Sequence, residues 1–382
     1  MENQSGSKST RRWVLIVLQA VIILLSVVVG VVIYMFIGQY QEEFGLLRQA
    51  QDILLANTIL EIPKDNTLEY GMIRGMLTTL DDPYTYFVEP AAHEVESDQL
   101  AGSFGGIGCR LERDTDLNWR LYPLPDSPAL AAGIMDADIL TGVEDLEITP
   151  ETDDTTLLAA LRGPTGEKVM ITIQREDESL GFTIEREDIA LPSVTWNLLP
   201  DAPAVGMVQI NRIAESTAAE VQEAIEDLTN QGASTFILDL RDNGGGLVDG
   251  AVEVVRLFLS EGEILQQQFR DQDVEVFSVE EPGPFTGIPL VVLVNGNTAS
   301  SAEIVAGALK ANQRAPLIGS TTYGKTTIQY IFDLQDSSSI HVTSGRWWIS
   351  GVSFPLQPDY IITEDPSGTE IIQTAIKILT VD

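Results

Sequence analysis

Cysteine occurs once in 382 residues, at Cys109, so the chain can form neither an internal disulfide nor a thiolate cluster for a metal. Histidine occurs twice. His93 lies in the acidic stretch "AAHEVES" and His341 in the strand-like "SSIHVTSG", and each reads as a surface or strand residue outside any site. No G-x-S-x-G elbow is present, so a serine–histidine–aspartate triad has no support, although a hydrolase working through His341 stays open. Positive charge is also scarce: 22 Lys and Arg stand against 57 Asp and Glu, a formal charge of −35. Such a chain repels phosphate backbones, which argues against nucleic acid as a partner and fits a solvated acidic surface. Low-complexity tracts and internal repeats are absent. With 44% hydrophobic and 21% charged residues, the composition is that of a globular protein with a sizeable core and two or three domains.

What is present begins with an uncharged run of 25 residues, Trp13 to Ile37. At 1.5 Å per residue it is long enough to cross a hydrocarbon core of about 30 Å. It exceeds a signal-peptide core, and "IGQYQEEFG" after it offers no small-x-small cleavage site, so an uncleaved anchor is expected. Lys8, Arg11 and Arg12 precede the run and Glu42 and Glu43 follow it. The positive-inside rule then puts residues 1–12 in the cytoplasm, a transmembrane helix at 13–37 in the cell membrane, and everything after it outside the cytoplasm.

Apolar spacings of three and four predict amphipathic helices over 44–60 and 68–80, the second ending at the turn signal "DDPYTYF". A glycine-rich stretch at 102–112 leads into β-rich segments, a short helix-like piece "SPALAAGIMDADIL", and a strand at 167–176. Past residue 180, apolar strands (205–210, 235–240, 289–295, 316–320) alternate with helical patterns (216–232, 247–260, 300–313), which implies a sheet covered on both faces. The expected division is a helical segment at 38–97, a β-rich domain at 98–180 and an α/β domain at 181–382.

Ser300 follows one of these strands and opens a helix, where backbone N–H groups and the helix dipole would stabilise a developing oxyanion. Ser300-x-x-Glu303 is equally a capping box, and a serine in that place is ordinarily a cap. Lacking a usable histidine, a serine nucleophile needs another base. A lysine serves if burial disfavours its ammonium. Lys325 is the candidate: in "STTYGKTTIQYIF" it follows Gly324 and is flanked by β-branched and aromatic residues, although by itself it reads as a solvated turn residue.

The pair is what carries meaning. "NTASSAEIVAGAL" at 297–309 and "GKTTIQ" at 324–329 resemble the serine and lysine motifs of the carboxyl-terminal processing (tail-specific) proteases, at that family's separation of 25 residues. "LDLRDNGGGL" at 238–247 is similar to its L-D-L-R-x-N-P-G-G loop, "LRGPTGEKVMITIQR" at 161–175 to the end of its PDZ domain, and "PLQPDY" at 355–360 to its closing motif. "GMIRGMLTTLDDPYTYF" resembles the segment before the PDZ domain, so the likeness covers nearly everything after the anchor. The fold it implies is a multidomain α+β and α/β chain in which a PDZ-like domain precedes a core of the ClpP/crotonase kind.

The resemblance further implies Ser300 as nucleophile, Lys325 as general base and Gln329 as the residue orienting it. Four strand steps separate Lys325 from Gln329 by ~13 Å, so direct contact requires a turn or a bulge. Backbone N–H groups of Gly245 and Ser301 would form the oxyanion hole. Phe104, Gly105, Gly106, Ile107 and Gly108 would form the loop that binds a chain-terminal carboxylate, with Arg162 sensing it. The implied activity is endoproteolysis of extracytoplasmic proteins near accessible C-termini, with no metal or organic cofactor; a homo-oligomer is left open. The rival is a silent, membrane-tethered PDZ scaffold. Departures from the family pattern are Gly244 for a usual proline, "TASSAE" for S-A-S-A-S-E, and Ala137 for a turn glycine, while "TDLNWRLYPLPD" is unlike the family.

Overall fold

The computed structural model describes residues 23–31, 44–63, 65–363, 365 and 368–380. The expected anchor at 13–37 lies mostly outside them; its described part, 23–31, is helical. No helix among the described residues is long and apolar enough to cross a membrane. The chain divides into two units, Met1–Gly71 and Met72–Asp382. Helix α1 spans Gly45–Asn57 and α2 spans Thr67–Thr78, across the boundary, close to the expected 44–60 and 68–80.

Beyond α2 the turn "DDPYTYF" is held by Asp82, whose carboxylate accepts from the Tyr84 N–H at 3.1 Å and the Thr85 hydroxyl at 2.7 Å. It leads into strand β1 (Tyr86–Val88) and helix α3 (Pro90–Ala101). Proline opens α3, where its missing N–H costs nothing, and Gly102 closes it at φ 80, in the left-handed region glycine favours.

Next come β2 (Ser103–Gly106), β3 (Cys109–Arg113), β4 (Trp119–Pro123), α4 (Pro128–Ala132), β5 (Asp138–Val143), β6 (Leu146–Glu147), α5 (Asp154–Leu161), β7 (Lys168–Arg175), β8 (Glu178–Glu185) and β9 (Glu187–Ala190). The sheet runs β3-β4-β5-β7-β8, with β6 on β5. Inward residues Leu121, Leu140, Ile171 and Ile173 pack with Ala129 of α4 and Leu157 and Leu161 of α5 into a core of their own. The boundary expected at 180 is too early. β8 pairs with β7 along its whole length, and β9 returns to pair with β2, so this unit closes near residue 190. The unfamiliar "TDLNWRLYPLPD" makes β4 and the turn before it, where Asp114 accepts from the Asn118 N–H at 2.9 Å and Arg120 Nε at 2.8 Å. The helix expected from "SPALAAGIMDADIL" stops after one turn, because Gly133 takes φ 97. Ala137 sits at φ 65, a left-handed backbone that strains any residue but glycine.

The remainder contains β10 (Val194–Leu199), β11 (Ala202–Ile210), α6 (Thr217–Asn230), β12 (Thr235–Asp239), α7 (Val248–Arg256), β13 (Glu263–Phe269), β14 (Glu275–Ser278), β15 (Leu290–Val294), α8 (Ser301–Ala311), β16 (Leu317–Gly319), β17 (Thr327–Asp333), β18 (Ser339–Trp348), β19 (Tyr360–Ile361) and α9 (Thr369–Thr380). The central sheet runs β10-β11-β12-β15-β16-β19 and is parallel from β11 onward. Strand alternation explains why its apolar runs are continuous. Phe236, Leu238, Val292 and Val294 face the cluster holding α6, α7 and α8. Ile237, Val291 and Leu293 face the other way, toward Ile371 and Ala375 of α9. An antiparallel sheet, β1-β18-β13-β14 with β17 on β18, stands beside this core.

Candidate active site

The site is built where β15 gives way to α8. Asn295 and Thr298 fold the connection: the Thr298 hydroxyl accepts from the Asn295 N–H at 2.9 Å and donates to the Leu240 carbonyl at 2.8 Å. That bond ties the connection to the loop after β12. Asp242 of this loop accepts from the side-chain amides of Asn295 (2.9 Å) and Asn297 (2.8 Å), and the Ala299 N–H donates to the Asn243 carbonyl at 3.0 Å. Gly245 is thereby pressed against Ser300. A Cβ at Gly245 would lie 2.9 Å from the Ser300 Cβ, and its φ of 105 would strain any side chain independently.

Ser300 itself has φ 56 and ψ −124, a conformation that costs a non-glycine residue roughly 1–3 kcal/mol. Such a residue at a strand-to-helix turn is how a hydroxyl is lifted toward a cleft. The capping box read from the sequence is present, and in its glutamate half the Ser300 N–H donates to Glu303 Oε2 at 2.9 Å.

Glu303 does more than cap. It is fully buried, and its carboxylate also accepts from the Thr322 hydroxyl (2.5 Å), the Gly324 N–H (2.8 Å) and the Lys325 N–H (2.9 Å). Burial pushes its carboxyl above the usual range, and these donors pull it back. One side chain thus fixes the backbone of both Ser300 and Lys325.

Lys325 is half-buried with its Nζ 4.7 Å from the centre of the Tyr84 ring. Desolvation lowers its pKa below the usual lysine value, against the opposing charges of Asp82 and Glu96. The Tyr84 face also favours the ammonium. Ser300 and Lys325 line one cleft of about 590 Å³ together with Gly244, Gly246, Gln329 and His341. A half-buried lysine leaning toward its neutral amine, in the same cleft as a strained serine at a helix N-terminus, is equipped for nucleophilic attack and proton transfer.

Gln329 lies after a β-bulge at Ile328/Gln329, the irregularity its contact with Lys325 would require. Its amide nitrogen donates to the hydroxyls of Thr327 (3.0 Å) and Thr343 (3.2 Å), while Lys325 is touched by Glu303 at its backbone N–H and by the Tyr84 ring at its Nζ. The Gly245 N–H donates to Asn243 Oδ1 at 2.9 Å and is not free for an oxyanion in this conformation. Ser301 is the first residue of α8 and fully buried. Phe104, Gly105 and Gly106 are not loop residues: β2 spends them on pairing with β9, which leaves Ile107 and Gly108 as the turn into β3. The Arg162 guanidinium is committed elsewhere, 2.7 Å from Asp98 of α3 and over the Phe104 ring at 4.6 Å. His341, read as an ordinary strand residue, is buried and lines the cleft.

The Glu303 clamp was half visible in the sequence, through its spacing from Ser300. Asp82, Tyr84 and Glu96 gave no signal beyond a turn motif and an acidic stretch, because more than 200 residues separate them from Lys325.

Residues 204–362 match the family described as peptidase family S41. Carboxy-terminal processing protease CtpA of Bacillus subtilis (strain 168) is 34% identical over 285 residues, 74% of this chain and 60% of its own length. The carboxyl-terminal-processing protease of Picosynechococcus sp. is 32% identical over 330 residues, covering 82% of this chain and 79% of the relative. A solved structure, the photosystem II D1 C-terminal processing protease, is 28% identical over 87% of this chain and 91% of its own, with a TM-score of 0.46. The chain spans less than two thirds of the Bacillus relative's length, but most of the Picosynechococcus one. With that identity and coverage on both sides, this chain belongs to the carboxyl-terminal processing proteases of serine peptidase family S41.

Proposed function

We propose that the chain is a membrane-anchored endopeptidase that cleaves extracytoplasmic proteins near their C-termini through an acyl-enzyme on Ser300. The observation that carries this reading is the shared tether: Glu303 holds the backbones of Ser300 and Lys325 at one cleft, with Ser300 in a strained conformation. Neutral Lys325 takes the Ser300 proton as the hydroxyl attacks the scissile carbonyl, then returns it to the leaving amine; water repeats the cycle to release the acid. The Ser301 N–H, at the head of α8, faces the developing oxyanion. Gly245 joins it once Asn243 lets go of its amide.

The unit from 103 to 190 acts as a PDZ-like receiver of chain ends. Its support is the edge position of β3 in the sheet order, which leaves one side of that strand for an added peptide strand, with the Ile107–Gly108 turn at its start. The uncharged run 13–37 and its flanking charges support the anchor and the extracytoplasmic placement.

Digestion of an unstructured protein with a C-terminal apolar tail, followed by mass spectrometry, tests the assignment. The reading expects fragments that start from the tail, and little cleavage when the same tail is moved to the N-terminus. Equal cleavage of both would refute tail recognition. No cleavage of either, with the tail still bound, is the outcome of a silent scaffold.

A further inference from the structure

The cleft that holds Ser300 and Lys325 is also lined by residues of the antiparallel sheet that the proposed chemistry does not use: Gln267 and Phe269 of β13, Glu275 of β14 and Tyr330 of β17. Alternation puts Gln267 and Phe269 on one face of β13, and the register sets Gln267 beside Glu275 across the hairpin. On the other side of β13, Gly345 of β18 stands opposite Phe269. A Cβ at Gly345 would lie 2.7 Å from Phe269 Cδ1, so the missing side chain is what lets the Phe269 ring lie over β18 and reach Tyr330 on the strand beyond. The two rings stack with their centres 4.6 Å apart and their planes within 4° of parallel.

Gln267 is only 8% exposed, and a polar side chain so enclosed needs partners. It has one, since its Nε2 donates to Glu275 Oε2 at 2.8 Å. A carboxylate only accepts, which fixes the orientation of the amide. Gln267 Oε1 and Glu275 Oε1 are then left as acceptors with no donor among the described residues. Asp249 of α7 brings a further acid to the cleft, and Lys325 is the only lysine or arginine among the described residues that line it. An aromatic platform beside two unfilled acceptors, under negative charge, matches a side chain with a long apolar stem and a cationic head carrying several donors. An acidic side chain would meet Glu275 and Asp249 instead. A neutral one would use the platform and leave the acceptors to water.

We propose that this wall is a specificity subsite for a lysine or arginine of the substrate close to the scissile bond, with its stem on the Phe269–Tyr330 stack and its head on Glu275 and Gln267. The assignment rests on the Ser300/Lys325 reading and adds a substrate class to it. Glu275 is exposed, so water screens its charge, and the preference over a neutral side chain of equal length is about fivefold.

The test is kcat/KM for the full chain on unstructured reporters that share one C-terminal tail and carry Lys, Met or Glu in turn at each position flanking the cleaved bond. Wild type cuts the Lys reporter about fivefold better than the Met reporter at one position, and the Glu reporter worst. Glu275→Gln brings the Lys-to-Met ratio at that position close to one, and Glu275→Lys makes Glu the preferred residue there. Glu280→Gln removes the same charge two residues beyond β14, off the cleft wall, and keeps the wild-type ratio. The inference is overturned if no position favours Lys, if the ratio survives in Glu275→Gln, or if Glu280→Gln lowers it equally, which would make it an effect of net charge. In each of those cases cleavage that disappears in Ser300→Ala leaves the peptidase reading standing. A wild-type chain that cuts none of the reporters overturns both.

Discussion

Glu303 receives four donors from two stretches of chain, and its replacement is the most informative single change in the site. Glu303→Gln keeps the volume but turns two of its acceptor positions into donors that face other donors. Stability should fall by roughly 1–3 kcal/mol, and kcat should drop about tenfold or more as Ser300 and Lys325 lose register. Thermal unfolding and single-turnover kinetics check the two halves separately; wild-type kcat would show that the clamp is only structural. Gly245→Ala tests the neighbouring contact. A methyl 2.9 Å from the Ser300 Cβ must displace the serine, so activity should fall well beyond any change in Tm. Ala137→Gly runs the other way: relief of a positive φ predicts a gain of roughly 0.5–1 kcal/mol, and an unchanged or lower Tm contradicts the strain argument. Cys109 contributes no chemistry of its own, because burial pushes its thiol up to about 12.

Among the elements, the central sheet was the most legible. Strands such as Leu290–Val294 are apolar at every position because alternate side chains enter two different cores, and that pattern is local in sequence. Helix α3 was the least legible. It has no apolar stripe and buries no residue fully, so periodicity has nothing to read. Its place is set by polar contacts made at long range, such as Arg212 Nε donating to the Gln99 carbonyl at 3.0 Å and the Glu215 N–H to the Leu100 carbonyl at 2.9 Å. The loop expected at 104–108 failed for the same reason: its partner strand lies some 80 residues away, and only that pairing turns Phe104–Gly106 into strand. Arg162 and Asp98 join α3 to the 103–190 unit with side chains 14% and 19% exposed. Arg162→Ala leaves Asp98 partly buried and unpaired, and should cost roughly 1–3 kcal/mol, seen as a lower midpoint in urea. A change within about 0.5 kcal/mol would mean that solvent already screens the pair.

At the scale of the whole molecule, 57 acids against 22 basic residues make self-repulsion a general load on the fold. Between about 0.1 and 1 M salt the screening length falls from ~10 to ~3 Å, so Tm should rise with added sodium chloride. A falling Tm would mean that specific ion pairs outweigh the net charge. If Lys325 is the base, as proposed, catalysis should depend on pH with a definite sign. Desolvation lowers the Lys325 pKa, so the neutral base is absent at low pH and accumulates as pH rises toward a value below that of a free lysine. The central claim, that Ser300 and Lys325 work as one unit, is tested most directly by kcat/KM for tail cleavage in wild type, Ser300→Ala, Lys325→Ala and the double variant. The account predicts near-complete loss in each single variant and no further loss in the double, because either residue alone disables the same step. Wild-type turnover in either single variant, or losses that multiply in the double, would contradict it.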